Sequence, residues 1–281
     1  MGSIRQGISH FISEPAKDGK RYDLTIDQVI SLIDIDGLLH LSEITEKTDG
    51  QTFMMGFDDD GFWTQNSGSG DNRMRRGHDY VARAVQRGNS IKAASAFSSF
   101  HDALNMNDDL LAFLEKHPSP IRGELFNNIM ARECEKHPGF VKFVHTSYDP
   151  QKIGALGSFI IHSKLPENQN INLIKFKELS NEVIKFDDDF VDVESRCIDF
   201  WDELKLIIAA RQDGNMYEFE RIKRNMYEDI IVCIADMKIS PKWGYDTEGW
   251  IIHPPSHLPD GTRFKIISKE FKEAKSNGWK R

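Results

Sequence analysis

The sequence predicts a mixed α+β fold in which antiparallel strands predominate. Two short apolar runs, QTFMMGF and GFWTQ, are joined by a DDDG turn, which is a strong signal for a β-hairpin. From Tyr80 to Lys116 the apolar residues recur at helical spacing. Near the C-terminus, GWIIHP and TRFKIIS have the β-branched and aromatic residues typical of strands.

The composition is that of a globular protein with its own core. The chain has 281 residues, of which 39% are hydrophobic and 10% aromatic, and we expect a single domain spanning residues 1–281. The formal net charge of −8 argues against sequence-blind affinity for polyanions over the whole surface. A local basic patch could still bind nucleic acid.

Cysteine usage and hydropathy predict a cytoplasmic protein without a membrane partner. The three cysteines are far apart and show neither zinc-ligand spacing nor a disulfide framework. No run of about 18 apolar residues is present, and the N-terminus lacks the apolar stretch of a signal peptide.

The remaining elements follow in chain order. Residues 26–39 are predicted as a helix or a helix–strand junction, and the SGSGDNRMRRGH stretch at 67–78 as a loop. IRGELFNNIMA, GFVKFVHTSYD and GSFIIHSKL predict a second group of strands. Residues 178–240 are predicted to form a mainly helical insertion before the last strands.

Several polar and aromatic residues are interpreted as structural. FDDDF at 186–190 is predicted to be a loop or a helix N-terminus with solvated carboxylates. The tryptophans are assigned to the core, and the histidines near the motifs to structural hydrogen bonds. These residues are Trp63, Trp201, Trp243, Trp250, His145, His162, His253 and His257.

The groups needed to bind a nucleoside triphosphate and react with it occur in four short segments, which contain Lys47, Glu124, Glu248 and Lys265. An amine such as Lys47 attacks phosphorus only when deprotonated, so its ordinary pKa of about 10.4 has to be lowered by burial or by neighbouring cations. Lys265 and a divalent ion would do this, and Glu124 and Glu248 are carboxylates of the kind that Mg²⁺ binds. The alternative for each segment taken singly is a plain turn or strand end.

Asp49 and Gly50 follow the lysine directly. Asp49 could bind the sugar hydroxyls of the nucleotide or orient the lysine. Gly50 would let the backbone approach a ligand closely.

In chain order, EKTDG, GELFN, EGWII and FKIIS resemble nucleotidyl motifs I, III, IV and V of the covalent nucleotidyltransferase superfamily. The superfamily comprises ATP-dependent DNA ligases, RNA ligases and mRNA-capping enzymes, and the chain looks most like phage-encoded RNA/DNA ligases over residues 41–270. The resemblance implies an antiparallel-rich nucleotidyltransferase (ATP-grasp-like ligase) core. The cytoplasm would then be that of a bacterial host.

The resemblance also implies a role for individual residues. Lys47 would accept AMP as a phosphoramidate, with Glu46 beside the adenine and Phe143 stacked on it. Glu124 and Glu248 would be directed at metal and phosphate, and Lys265 would contact the α-phosphate.

Two positions depart from the family pattern. The last motif is usually K-x-K, but Ile267 stands where the second lysine is expected, and Lys269 is the nearest substitute. The arginine usual after motif I is replaced by Asn66. Its substitutes would be Arg73, Arg75 or Arg76.

These three arginines open a basic segment, 72–92, with five arginines and one lysine against one acid. It is predicted either to grip the phosphate backbone of a polynucleotide or to be a solvated helix face.

The implied function is an ATP- and Mg²⁺-dependent ligase that joins 5′-phosphate to 3′-hydroxyl ends of RNA or DNA, with RNA slightly favoured. Because the chain ends soon after Lys269, no C-terminal OB-fold is expected, and a separate OB-fold or end-processing partner would fill that role. The alternatives are a capping-type transferase that uses GTP, and a non-catalytic protein of this fold that binds nucleic acid. The lysine is expected to be an exposed cleft side chain.

Overall fold

The computed structural model describes residues 9–10, 36–40, 43–66, 72–117, 119–143, 146–191, 197–236, 239, 241–244, 246–253, 264–268 and 271. The chain divides into two compact units. The first contains Met1–Glu46, Phe190–Lys242 and Gly249–Ser268. The second contains Lys47–Asp189, Trp243–Glu248 and Lys269–Arg281.

The first unit is built on a five-stranded sheet. In spatial order its strands are β1 (Ser9–His10), β15 (Phe264–Ile267), β14 (Gly249–Ile252), β3 (Ile44–Lys47) and β12 (Phe190–Val191). The β14–β15 and β3–β12 pairs are antiparallel, whereas β1 and β15 are parallel. Strands β2 (Leu38–His40) and β13 (Cys197–Asp199) form a separate antiparallel pair.

Two helices of the first unit, α5 (Trp201–Gln212) and α6 (Met216–Asp236), contact each other. Together with β11 to β13 they make up most of the segment predicted as a helical insertion.

The second unit carries the other five-stranded sheet. In spatial order its strands are β11 (Ile184–Asp188), β10 (Gly157–Ile161), β6 (Ile121–Asn127), β4 (Gln51–Asp58) and β5 (Gly61–Gln65). All neighbours are antiparallel except β10 and β11. A small sheet joins β7 (Arg132–Glu133), β8 (Val141–Lys142) and β9 (Ser147–Tyr148).

The second unit contains four of the described α-helices. These are α1 (Gly77–Arg87), α2 (Ile91–Asn105), α3 (Asp108–Glu115) and α4 (Leu173–Glu178). Polar side chains start three of them, because Ser90, Asn107 and Asn172 each accept a hydrogen bond from a backbone N–H in the first turn.

The core of the second unit lies between these helices and one face of the sheet. Phe53 of β4 is fully buried, and its ring lies 5.6 Å from that of Phe100 and 6.1 Å from that of Phe159. Leu125 of β6 belongs to this cluster, while the next residue, Phe126, belongs to a second cluster with Phe143. Since side chains alternate along a strand, Glu124 lies on the same face as Phe126.

The structure confirms a mixed α+β fold with antiparallel-rich sheets, the β4–β5 hairpin and the helices between Tyr80 and Lys116. The predicted helix at 26–39 lies mostly outside the described residues. Within those residues, no helix is long and apolar enough to span a membrane.

Two structural predictions are wrong. FDDDF is not a solvated loop, because β11 includes its residues up to Asp188, and both Asp188 and Asp189 are buried. Trp201 is not a core residue, since 48% of it is exposed at the start of α5, whereas Trp63 and Trp243 are buried as predicted.

Candidate active site

Lys47 is the last residue of β3, and Thr48, Asp49 and Gly50 lead from it into β4. The Nζ atom of Lys47 donates a hydrogen bond of 2.5 Å to Oε2 of Glu248. Only 19% of the lysine side chain and 9% of the glutamate side chain are exposed. The lysine is therefore a mostly buried member of an ion pair, and the expected exposed cleft lysine is wrong.

Glu124 is fixed by the short connection that follows the lysine. Its Oε2 atom accepts a hydrogen bond of 2.6 Å from the backbone N–H of Gly50 and one of 3.1 Å from Oγ1 of Thr48. A Cβ atom added at position 50 would lie 3.0 Å from the same Oε2 atom, so the close approach favours glycine. The KTDG segment thus carries the lysine and also holds the carboxylate of Glu124.

Asp49 is buried and takes part in a polar cluster with the β9 region. Its backbone N–H donates to the hydroxyl of Tyr148 at 2.7 Å, and its Oδ2 atom accepts from the N–H of Thr146 at 3.1 Å. The hydroxyl of Thr146 also donates to that of Tyr148 at 2.7 Å. Burial raises the pKa of Tyr148 well above its ordinary value, so the phenol stays neutral.

Residues in the segment 246–248 form hydrogen bonds with Lys47 and with Ser147. Thr247 donates from its hydroxyl to the carbonyl oxygen of Lys47 at 3.3 Å. Asp246 accepts hydrogen bonds from the N–H and the hydroxyl of Ser147, at 2.6 and 2.7 Å. These bonds place Glu248 beside the amine of Lys47.

The carboxylates around Lys47 determine its protonation. Burial by itself lowers the pKa of Lys47, but the charges of Glu124 and Glu248 and the hydrogen bond that Lys47 donates to Glu248 outweigh burial. The net effect raises the pKa above the ordinary value, and Asp49 adds to it. The described surroundings of Lys47 therefore hold it as an ammonium ion, whereas the sequence predicted that neighbouring cations would lower its pKa.

The sequence analysis left two residues out of the site: His162 lies next to Glu124, and Asp189 lies next to His162. His162 follows β10, and its Nε2 atom lies 3.9 Å from Oε1 of Glu124. Its Nδ1 atom lies 3.2 Å from Oδ2 of Asp189, which is buried and also accepts from the N–H and hydroxyl of Ser163. Sequence spacing could not reveal this group, because β10 and β11 have to pair before the histidine and the aspartate meet.

Two other predicted site residues belong to the first unit. Glu46 is buried, and its Oε2 atom accepts a hydrogen bond of 2.5 Å from the backbone N–H of Lys242. Lys265 lies on β15 and pairs through its backbone register with Ile251 and His10.

Phe143, the predicted purine platform, is buried in the second unit. Its ring lies 5.2 Å from that of Phe126 and 5.5 Å from that of Tyr148. Tyr148 connects this aromatic cluster to Asp49.

The predicted nucleic-acid arginines lie at the hairpin and at the start of α1. Arg75 donates to both carboxylate oxygens of Asp58, at 2.6 and 2.8 Å, and to the carbonyl oxygen of Gly61. Arg73 also donates to Asp58, at 2.6 Å, and its guanidinium lies 4.6 Å from the ring centroid of Trp63. Arg76 is exposed at the N-cap of α1.

The structure thus brings together Lys47, Asp49, Gly50, Glu124 and Glu248 in the second unit. Among the residues described, no group of three or more His, Cys, Asp or Glu is arranged to hold a metal ion by itself. Comparisons of the chain with protein-family models, with curated proteins and with solved structures found no match. The case for a function therefore rests on the site geometry and on the order of the motifs.

Proposed function

We propose that the protein is an ATP-dependent polynucleotide ligase that seals 5′-phosphate to 3′-hydroxyl ends through a lysyl–AMP intermediate on Lys47, with RNA slightly favoured over DNA. The observation that carries the proposal is the buried amine of Lys47, 2.5 Å from Glu248 and within the electrostatic influence of Glu124 and Asp49. An amine surrounded by carboxylates is poorly explained as a surface lysine. With this function, the α+β fold would be the nucleotidyltransferase core.

The first step forms a P–N bond and breaks a P–O bond. The deprotonated Nζ of Lys47 attacks the α-phosphorus of ATP, and pyrophosphate leaves with the electron pair of the broken bond. The proton that Nζ has to lose faces Oε2 of Glu248, which is the acceptor closest at hand. Positioning and electrostatics supply most of the catalysis in phosphoryl transfer.

The next two steps regenerate the enzyme. A 5′-phosphate oxygen of the strand attacks the phosphorus of lysyl–AMP, which breaks the P–N bond and returns the amine to Lys47. A 3′-hydroxyl then attacks the 5′-phosphorus, and AMP leaves as the strand is sealed.

In the proposed enzyme, Glu124 and Glu248 would hold an Mg²⁺ ion. Two hard oxygen donors beside the phosphate-accepting amine are the set that such an ion uses. When bound, the ion neutralises charge on the phosphates and on these carboxylates. Because those carboxylates hold the pKa of Lys47 high, neutralising them favours the free amine.

A non-catalytic protein of this fold is the second candidate, and one observation favours it. The ion pair with Glu248 holds Lys47 as an ammonium ion, which cannot attack phosphorus. Such a protein would bind nucleotide or nucleic acid without forming a covalent bond.

Intact-mass measurement after incubation with Mg²⁺ and either ATP or GTP separates these functions. We expect the wild type to gain the mass of one AMP from ATP, at the peptide that contains Lys47. Lys47→Arg keeps the positive charge but should gain nothing. A gain from GTP alone would indicate a capping-type transferase, and no gain from either nucleotide would indicate the non-catalytic protein.

Sealing assays on nicked RNA and nicked DNA duplexes then test the acceptor. We expect joined product only when the nick carries a 5′-phosphate, with faster joining of RNA. Attachment of AMP without sealing of either duplex would refute a ligase.

A further inference from the structure

An open pocket of about 210 Å³ lies in the second unit between α1 and α2, and Asn66 and Asn72 also line it. Its polar lining consists of arginine, asparagine, serine and tyrosine side chains, and the described part of the lining contains no acid. The residues that carry these groups are Arg83, Arg87, Asn66, Asn72, Asn89, Ser90 and Tyr80. The described lining thus carries two positive charges, in a protein whose formal net charge is −8.

Arg83 and Arg87 both line this pocket. Arg83 and Arg87 are one helical turn apart on α1, and within the described residues neither forms an ion pair with a carboxylate. Arg83 donates instead to the neutral amide oxygen of Asn72. Like charges four residues apart on a helix repel each other, and a bound anion would relieve this repulsion.

The neighbouring arginines are placed differently. Arg73 and Arg75 both donate to Asp58, which neutralises charge at the hairpin. The cationic groups of the 72–92 segment that line a pocket are therefore Arg83 and Arg87, which the sequence analysis did not single out.

Guanidinium groups match the oxygens of a phosphate in a two-point hydrogen bond. The pocket is larger than a phosphate group, and its asparagine side chains offer donors and acceptors to sugar hydroxyls. We propose that this pocket binds a backbone phosphate and the adjoining sugar of the polynucleotide strand. The identity of the ligand as a polynucleotide rests on the proposed function.

The salt dependence of strand binding tests the pocket. Fluorescence anisotropy of a labelled single-stranded RNA oligomer, measured over a series of salt concentrations, gives the slope of log K against log[salt]. This slope is negative, and removing one phosphate contact makes it less steep by about 0.7 for a single strand. We expect this shallower slope, with weaker binding, in the double variant Arg83→Gln/Arg87→Gln.

Lys92→Gln is the matched control, because Lys92 is an exposed cation on α2 that does not line the pocket. Ala93→Glu is a second variant that leaves both arginines in place and adds a carboxylate to the lining. It should weaken strand binding like the arginine variants. If the pocket variants bind the oligomer with the same slope as Lys92→Gln, the proposal is wrong.

Attachment of AMP, followed on the same variants, separates this proposal from the ligase proposal. We expect the arginine variants to accept AMP at the wild-type rate. Loss of strand affinity in a protein that never accepts AMP would support the pocket and refute the ligase. AMP attachment with unchanged strand affinity would support the ligase and refute the pocket proposal. Loss of AMP attachment in the pocket variants would show that the pocket binds ATP, and this would overturn the proposal that it binds the strand.

Discussion

At the scale of single residues, the site is defined by a cation that lies among carboxylates. Lys47 pairs with Glu248, and Glu124 and Asp49 also favour its charged form. These contacts therefore oppose the deprotonation of Lys47 that the proposed reaction needs. In the proposed ligase, binding of the nucleotide and a metal ion would change this balance.

The charge of Lys47 should stabilise the protein in a pH-dependent way. Its pKa is raised above the ordinary value of 10.5, so the stabilisation is complete below that pH and is lost as the pH rises through the higher folded value. Lys47→Ala should lower the free energy of unfolding at pH 7 by about 1–3 kcal/mol, because Glu248 loses its charged partner. Denaturant unfolding of both proteins at pH 7 and above pH 10.5 measures this.

Lys47→Arg is the control, since it retains a cation and should lose less stability than Lys47→Ala. An equal loss of stability in the two variants would show that the positive charge at position 47 does not account for the stability that the lysine contributes. A difference between wild type and Lys47→Ala that does not shrink at high pH would contradict the raised pKa.

Gly50→Ala tests how closely the KTDG connection holds Glu124. The added Cβ would lie 3.0 Å from Oε2 of Glu124 and 3.0 Å from Cε1 of Phe126, so the carboxylate has to move. We expect AMP attachment to slow about tenfold, which corresponds to about 1.4 kcal/mol of barrier. Intact-mass time courses at saturating ATP measure the rate.

Gly61→Ala is the comparison for this experiment. Gly61 has a φ of +98° on the β4–β5 turn, and nothing lies within 4 Å of an added Cβ, so the substitution strains the backbone without crowding the site. It should lower the melting temperature and leave the rate of AMP attachment unchanged. Equal rates for Gly50→Ala and wild type would show that the position of Glu124 does not limit the reaction.

At the scale of elements, the β4–β5 hairpin depends on charge as well as on its turn. Asp58 accepts hydrogen bonds from Arg75 and Arg73, and the hydrogen bond from Arg75 is the main cause of its lowered pKa. These hydrogen bonds connect Arg73 and Arg75, which precede α1, to the hairpin.

Asp58→Asn should therefore lower the melting temperature at neutral pH. A lowered carboxylate pKa gives stability that is present above the ordinary value of 3.8 and is lost as the pH falls through the folded value. The melting temperatures of variant and wild type should converge under acid conditions, as followed by circular dichroism. A difference that persists at low pH would assign the effect to packing and not to charge.

Elements that depend on local sequence were predictable, and contacts between distant segments were not. The turn residues and alternation of the β4–β5 hairpin lie within 51–65, and the helical spacing of 80–116 is equally local. Tyr148 was missed because its hydrogen bond to Asp49 joins residues 99 positions apart. FDDDF was misjudged because the burial of Asp189 depends on hydrogen bonds from Ser163, which only the β10–β11 pairing provides.

The candidate site shows the same division. Lys47 and Glu248 are 201 positions apart, and only the order of the motifs suggested that they meet. No sequence rule predicted that the pair would be buried or that the lysine pKa would rise, because both depend on how Thr247 and the 48–50 connection are held.

At the scale of the whole molecule, net charge and local charge act in opposite directions. A chain with a formal net charge of −8 repels a polynucleotide at long range. The pocket at Arg83 and Arg87 would then bind a strand at one place, while the rest of the surface would have no affinity for polynucleotides. Strand affinity should accordingly be weak at high salt, since counter-ion release from few phosphate contacts supplies it.

Nucleotide binding should stabilise the folded molecule even when the covalent step is blocked. Lys47→Arg cannot form a phosphoramidate in the proposed way, so any ATP effect on its melting temperature reports reversible binding. A ligand at 100 times its dissociation constant adds about 2.7 kcal/mol to the free energy of unfolding when it binds only the folded state. We expect the melting temperature of Lys47→Arg to rise with ATP concentration in the presence of Mg²⁺, and to rise less with GTP. Glu248→Gln removes a charge proposed to face the metal and should need more Mg²⁺ for the same rise. A melting temperature that does not depend on ATP in either variant would show that the carboxylates around Lys47 serve the fold alone.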